Sequence, residues 1–221
     1  MTPERKARIE GVLQRRQPDL TVLTENIHKP RNFSAVVRTC DSVGINALHV
    51  VTNTDKVDRH WHTSQGAEKW LDVVLHDSIG EACGHLKSQG FTLLGAHLSD
   101  EAVDYREVDY TRPTALLMGT ELFGVSEEAL AHVDQQITIP MLGMSQSLNV
   151  SVACAVVLYE ALAQRLAAGM YDGPRRLDEA TYQRFRFEGL HQVLARWCRE
   201  KGIDYPALDE EGELLSDPRE A

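Results

Sequence analysis

Two kinds of segment alternate along the 221-residue chain. Short apolar runs occur at residues 20–23, 46–51, 70–75, 91–98, 114–119 and 137–139. They read as strands, and their nearly continuous apolar character suits a parallel sheet covered on both faces. Between them lie stretches with helical spacing. Residues 3–17 place Ile9, Val12 and Leu13 on one stripe before Pro18 breaks the pattern. Residues 30–43 bury Ala35, Val36, Val37 and Val43, with Asn32 or Ser34 as the expected cap and Gly44 as the stop. Residues 78–89 turn Ile79, Ala82, Cys83 and Leu86 inward, and residues 126–133 form a shorter helix. The helix at 149–168 is apolar on nearly every side as far as Tyr159 and is expected to be buried. Its densest stripe is Val150, Ala153, Val157, Leu158 and Ala161. This alternation predicts an α/β fold with a parallel sheet.

The ends of the chain read differently. A linker at 169–176 precedes a helical segment at 177–201, with a break expected at Gly189. Residues 204–221 are acidic, interrupted by Pro206, Gly212 and Pro218, and expected to be loosely ordered. Three regions follow: a basic helix at 1–18, a catalytic-size domain at 19–168 and a helical extension with an acidic tail at 169–221.

One strand-to-helix junction offers ligand chemistry. Pro140 ends the run at 137–139, because it lacks a backbone donor. A loop of small and polar residues follows, and an apolar helix opens near Ser147 or Asn149, both good N-cap types. Such a junction presents free backbone groups and a helix N-terminus. Gly95 and Ala96, near the end of the fourth strand, leave room for a ligand.

Charge refines this picture. The net charge of −10 argues against a uniformly basic nucleic-acid binder. Its distribution is uneven, however. Residues 1–40 carry eight basic against four acidic side chains, and residues 203–221 carry one against seven. A local basic face can bind phosphates on an acidic protein. The four cysteines, Cys40, Cys83, Cys154 and Cys198, have neither zinc nor disulfide spacing, which points to reduced thiols in a cytoplasmic protein. His60 and His62 flank Trp61 without a third partner at useful spacing, so no metal is expected. No signal peptide is evident, and the longest apolar run, 152–159, is too short for a bilayer, so no membrane partner is expected.

Three stretches share a further likeness. They are Asn26-Ile27-His28-Lys29-Pro30-Arg31-Asn32 running on to Arg38-Thr39-Cys40, Met118-Gly119-Thr120-Glu121-Leu122-Phe123-Gly124, and Ile139-Pro140-Met141 running on to Ser147-Leu148-Asn149-Val150-Ser151. In this order they resemble the three signature motifs of the SpoU/TrmH branch of the SPOUT RNA methyltransferases. Three ordered motifs are a far stronger signal than one.

The resemblance implies a SPOUT fold, with a deep trefoil knot in the C-terminal part of the catalytic domain and helical extensions at both ends. It implies S-adenosylmethionine as methyl donor, held mainly by backbone groups around His97, Leu98, Gly119, Ile139 and Leu148. It implies methyl transfer to a ribose 2′-hydroxyl of a D-loop guanosine in tRNA. Arg38 would activate that hydroxyl, with Asn32, Asn149, Glu121 and Ser147 supporting the site. A guanidinium holds its proton far above neutral pH, so stabilising the developing alkoxide suits Arg38 better than acting as a plain base. The family is homodimeric, with the site completed across the interface. Arg8, Arg15, Arg16 and Arg31 are the expected RNA contacts. Two other readings keep the fold: a methyltransferase acting on ribosomal RNA, and a non-catalytic RNA-binding module. A small-molecule α/β enzyme is a third.

Overall fold

The computed structural model describes residues 2–52, 69–120 and 124–219, in two compact units. His60, His62 and Glu121 lie outside the described residues. The first unit comprises residues 1–16 and 172–221, the second residues 17–171.

The second unit is built on a seven-stranded sheet. Its strands are β1 (Leu20–Glu25), β2 (Ala47–Val51), β3 (Asp72–His76), β4 (Thr92–Ala96), β5 (Val103–Asp104), β6 (Thr114–Met118) and β7 (Gln135–Thr138). The order is β3-β2-β1-β6-β4-β7-β5, and every pairing is parallel. Central strands β1 and β6 are buried at every position, as strands of a parallel sheet covered on both faces must be. β5 went unread in the sequence because two residues carry no periodicity.

Helices cover both faces. α2 (Pro30–Ser42) and α5 (Val150–Ala167) pack together on one, where Val36, Val37, Cys154, Val157 and Leu158 join Val22 and Leu116. α3 (Ile79–Ser88) and the short α4 (Glu127–Leu130) cover the other, with Ala82, Leu86 and Ala129 against Leu23, Leu93 and Leu117. Burial on this scale, at about 25 cal/mol per Å² of apolar surface, dominates the unit's stability.

Several expectations are corrected. Asn32 and Ser34 do not cap α2; they are buried inside it, and Lys29 occupies the cap position without a side-chain bond. Pro30 explains this, since its fixed φ and missing N–H suit the first helical turn. Gly95 makes room for packing, not for a ligand: a Cβ there would lie 2.9 Å from Val133 Cγ2. α5 is not buried all round. Val152, Tyr159 and Leu166 are about half exposed, while Val150, Cys154, Val157, Leu158 and Ala161 face inward. By length and composition α5 could cross a membrane. Its place beside α2, with one face against the sheet, is that of a core helix.

Arg165 anchors the C-terminal end of α5. It is fully buried, and all five of its N–H donors are used. Nε donates to Tyr110 O at 2.8 Å. Nη1 donates to Gln17 Oε1 and Asp19 Oδ1, and Nη2 to the carbonyls of Asp19 and Arg112.

The first unit comprises α1 (Pro3–Gln14), α6 (Glu179–Leu190), α7 (Gln192–Lys201) and the tail. The break falls at His191, not Gly189: Gly189 stays helical, and His191 caps both helices. The tail is not loose as far as residue 219. Tyr205, Leu208 and Leu214 pack against Phe187, Leu194, Ala195 and Cys198. Arg186, itself buried, bonds Glu10 at 3.0 Å and the carbonyls of Asp209 and Glu210. Acidic composition misled here because the few apolar tail residues are spaced to fold back.

Candidate active site

β4, β6 and β7 end side by side, and α5 begins beside them. Their ends enclose a cleft of about 490 Å³. Parallel strands end with unpaired backbone groups, which is why α/β proteins bind ligands at this edge. Ala96 lines the cleft at the end of β4 and His97 and Leu98 just after it, Gly119 and Thr120 after β6, and Ile139, Ser147, Leu148 and Asn149 along the loop from β7 to α5. Met118, Ile137, Val150 and Val157 give it an apolar floor.

Gly119 is required by a close approach. A Cβ there would fall 1.9 Å from the Gly124 carbonyl oxygen. Thr120 N donates to Gly124 O at 2.8 Å and Gly124 N to Thr120 O at 3.0 Å, closing the loop on itself. Gly124, at φ 69°, takes the left-handed turn that closure demands.

Asn149 is the N-cap of α5. Its Oδ1 accepts from Ser151 N at 2.9 Å and from Ser151 Oγ at 2.7 Å. Its Nδ2 donates to Asn32 Oδ1 at 3.2 Å. Two asparagines 117 residues apart are thereby joined at the rim of the cleft. Asn32 can reach because it lies in the first turn of α2, buried against α5.

Arg38 sits elsewhere. It is exposed on α2 and does not line the cleft of its own chain. Arg31, one heptad earlier, shares that exposed face. Ser42, one turn later, accepts from the Tyr159 hydroxyl of α5 at 3.5 Å. Arg38 thus lies on the flank that carries the exposed side chains of α5. Arg8 and Arg15 are exposed at the first helix. Arg16 is not: it is 1% exposed and presents no guanidinium to a phosphate. The helix has ended at Gln14, with Arg15 as its cap, so helical spacing no longer sets where Arg16 points.

Lys29 and Gln146 also line the cleft, and the sequence reading missed both. Lys29 had a signal: it immediately precedes Pro30 at the N-terminus of α2.

Residues 19–159 match the family model of the SpoU rRNA methylase family, and residues 163–217 that of the SpoU rRNA methylase C-terminal region. The chain belongs to the SpoU methylase family. A relative named tRNA (guanosine(18)-2′-O)-methyltransferase, from Escherichia coli (strain K12), is 51% identical over 98% of this chain and 95% of its own length. A crystal structure titled A. aeolicus TrmH/SpoU tRNA modifying enzyme superposes with a TM-score of 0.77 at 40% identity, covering 91% of this chain and 98% of that one. The SpoU methyltransferase AviRb from Streptomyces viridochromogenes, solved in complex with the cofactor AdoMet, superposes at 0.62 with 28% identity, over 70% of this chain and 59% of that one. The described residues of the three motifs lie at the ends of β1, β6 and β7 and at the starts of α2 and α5.

Proposed function

We propose that this chain transfers a methyl group from S-adenosylmethionine to the ribose 2′-hydroxyl of a D-loop guanosine in tRNA, the one numbered 18 in the names of its relatives. The observation that carries this reading is the Asn32–Asn149 bond at the cleft rim, joining the first and third motifs. Relatives with tRNA in their names match over nearly the whole chain, including both helical extensions, which favours tRNA over ribosomal RNA.

The cleft suits a nucleoside-sized donor. About 490 Å³ lies within the range of small-molecule pockets. The side chain Gly119 lacks leaves backbone rather than bulk at the wall. His97, Leu98, Gly119, Ile139 and Leu148 would hold the donor, largely through main-chain groups at the strand ends. When bound, S-adenosylmethionine supplies an electrophilic methyl group on a sulfonium.

The residues then divide the work. Asn149, fixed by Ser151 and Asn32, orders the loop that faces the ribose. Ser147 and Glu121 support that loop and the substrate. Arg38 stabilises the alkoxide as the hydroxyl proton leaves, with a neighbouring RNA phosphate as the acceptor, because a guanidinium remains protonated near neutral pH. Positioning supplies much of the rate in such an in-line displacement.

Arg38 would reach the reacting group in a homodimer. Val152, Val156, Tyr159, Ala163 and Leu166 recur along α5 at alternating spacings of four and three, the pattern of a helix seam. This stripe, beside Arg38, is the face a second copy would cover, bringing Arg38 to the partner's cleft. A C-terminal knot as in the family is supported by the strand order: β7 lies between β4 and β5, which are joined by residues 97–102 alone. Arg8, Arg15 and Arg31 would contact tRNA phosphates. The four cysteines are free thiols, in keeping with a cytoplasmic enzyme.

Incubation with labelled S-adenosylmethionine and either total tRNA or ribosomal RNA tests this. Label in tRNA alone is the expected result. Label confined to ribosomal RNA, or none in either, overturns it.

A further inference from the structure

Glu25 is a buried carboxylate outside the cleft, with 6% of its surface exposed. It is the last residue of β1, where a charged side chain is unexpected in an otherwise uncharged and fully buried strand. Both of its oxygens are engaged by one residue. Oε2 accepts from Ser126 N at 3.1 Å and Oε1 from Ser126 Oγ at 2.6 Å. Charge-assisted bonds of this kind are stronger than neutral ones. Ser126 Oγ in turn accepts from Ala129 N at 3.1 Å, capping α4.

This pair ties together two segments whose neighbouring residues line the cleft. Asn26, the next residue, takes φ 51° and donates its N–H to Val51 O at 2.9 Å, so the chain turns immediately. Three residues later Lys29 lines the cleft, and α2 begins with Asn32 in its first turn. On the other side, Gly124 lines the cleft two residues before Ser126, and its bonds to Thr120 close the loop of the second motif. Neither Glu25 nor Ser126 lines the cleft. The backbone ladder between β1 and β6 runs as far as Thr24 and Met118, one residue short of Glu25. Beyond that point the ladder gives no further register. The Glu25–Ser126 bonds extend it by side chain.

We infer that Glu25 is a positioning residue for the methyl transfer, fixing Gly124, at the end of the second motif, against the start of the first motif through Ser126. The inference rests on the proposed methyltransferase reading. Loss of the clamp lets Gly124, and Thr120 bonded to it, shift relative to Asn32, and misplacement of reacting groups lowers turnover more than it lowers binding.

The test uses the full-length protein with tRNA and S-adenosylmethionine, and compares Glu25→Gln, Ser126→Ala, their double variant and Ser126→Thr. An amide cannot accept from both an N–H and an O–H at these positions, and alanine removes the hydroxyl; threonine keeps both donors. Glu25→Gln and Ser126→Ala are expected to lower kcat about tenfold each, with donor affinity and the KM for tRNA held within about threefold. The double variant is expected to lose no more than either single one, as partners in one interaction do. Ser126→Thr is expected to retain most of the activity. A merely structural bond would lower Tm without this split between kcat and KM. Near-normal kcat in Ser126→Ala, or multiplying losses in the double variant, overturns the inference. Should Glu25→Gln not fold, the Ser126 pair decides by the same criteria. A wild-type chain that methylates no tRNA would defeat the functional reading itself, whereas an active wild type with an equally active Ser126→Ala defeats only this inference.

Discussion

Asn149 does two jobs at once: it caps α5 and holds Asn32. Replacing it with alanine removes a cap worth about 1 kcal/mol and frees the third-motif loop. Asn149→Ala is expected to melt only a few degrees lower yet turn over more slowly by on the order of a hundredfold. Thermal melting beside single-turnover methyl transfer checks both halves. Asn149 was legible as a helix cap from residue type alone. Asn32 was not: its type suggested a cap, yet Pro30 starts the helix earlier and leaves Asn32 buried within it. The bond between them could not be read from sequence, because it depends on α2 and α5 packing side by side. Arg38→Ala is expected to leave the fold and donor affinity intact and to remove methyl transfer. Turnover near that of the wild type in a folded Arg38→Ala protein contradicts the role given to it.

Among the elements, α5 carries the clearest division of labour. One face is core, one end is a buried arginine with every donor satisfied, and the remaining face is an exposed apolar stripe. Charges introduced on that stripe, as in Val152→Lys with Tyr159→Glu, leave the sheet packing untouched. Light scattering is expected to report a monomer for the double variant and a dimer for the wild type. Methyl transfer should fall with the dimer, since the proposed mechanism has Arg38 serve the other copy. An active, dimeric double variant would show that the seam lies elsewhere. The helix itself was legible from its apolar run; its two-faced burial was not. Composition counts apolar residues without saying which the sheet can reach. The same limit explains the first unit. Helix spacing located residues 177–201, but the break fell two residues past the glycine, where His191 rather than Gly189 leaves helical geometry.

Taken whole, the chain couples an acidic average to local basic and titratable features. Arg8 and Arg15 remain exposed on α1, while Arg16 is withdrawn. Neutralising phosphate contacts releases counterions, so tRNA affinity should fall as salt rises. Arg8→Ala with Arg15→Ala is expected to raise the KM for tRNA and flatten that slope, leaving donor affinity unchanged. An unchanged slope would make these arginines ordinary solvated surface. A second whole-molecule property is acid sensitivity. His49 and His76 are buried with Nδ1 and Nε2 2.8 Å apart; His85 stands over both rings, and Glu81 lies 3.6 Å from His76. Burial, then the neighbouring His76 and His85, lower the pKa of His49 from 6.5 to about 4. A depressed pKa favours the neutral form in the folded chain. Its stabilisation is complete above pH 6.5 and is lost as pH falls toward 4. The loss amounts to roughly 3 kcal/mol at ~1.36 kcal/mol per unit. His49→Gln is expected to flatten the fall in Tm between pH 6.5 and pH 4 relative to the wild type; an identical fall would place the acid sensitivity in other groups.

The most direct test of the account is to locate the methyl group. An unmodified tRNA transcript, incubated with the wild-type chain and labelled S-adenosylmethionine, would be digested and its nucleosides mapped along the sequence. A single 2′-O-methylated guanosine is expected in the D-loop, at the position numbered 18 in the names of the relatives. A methyl on a base, or on a ribose outside the D-loop, would contradict it.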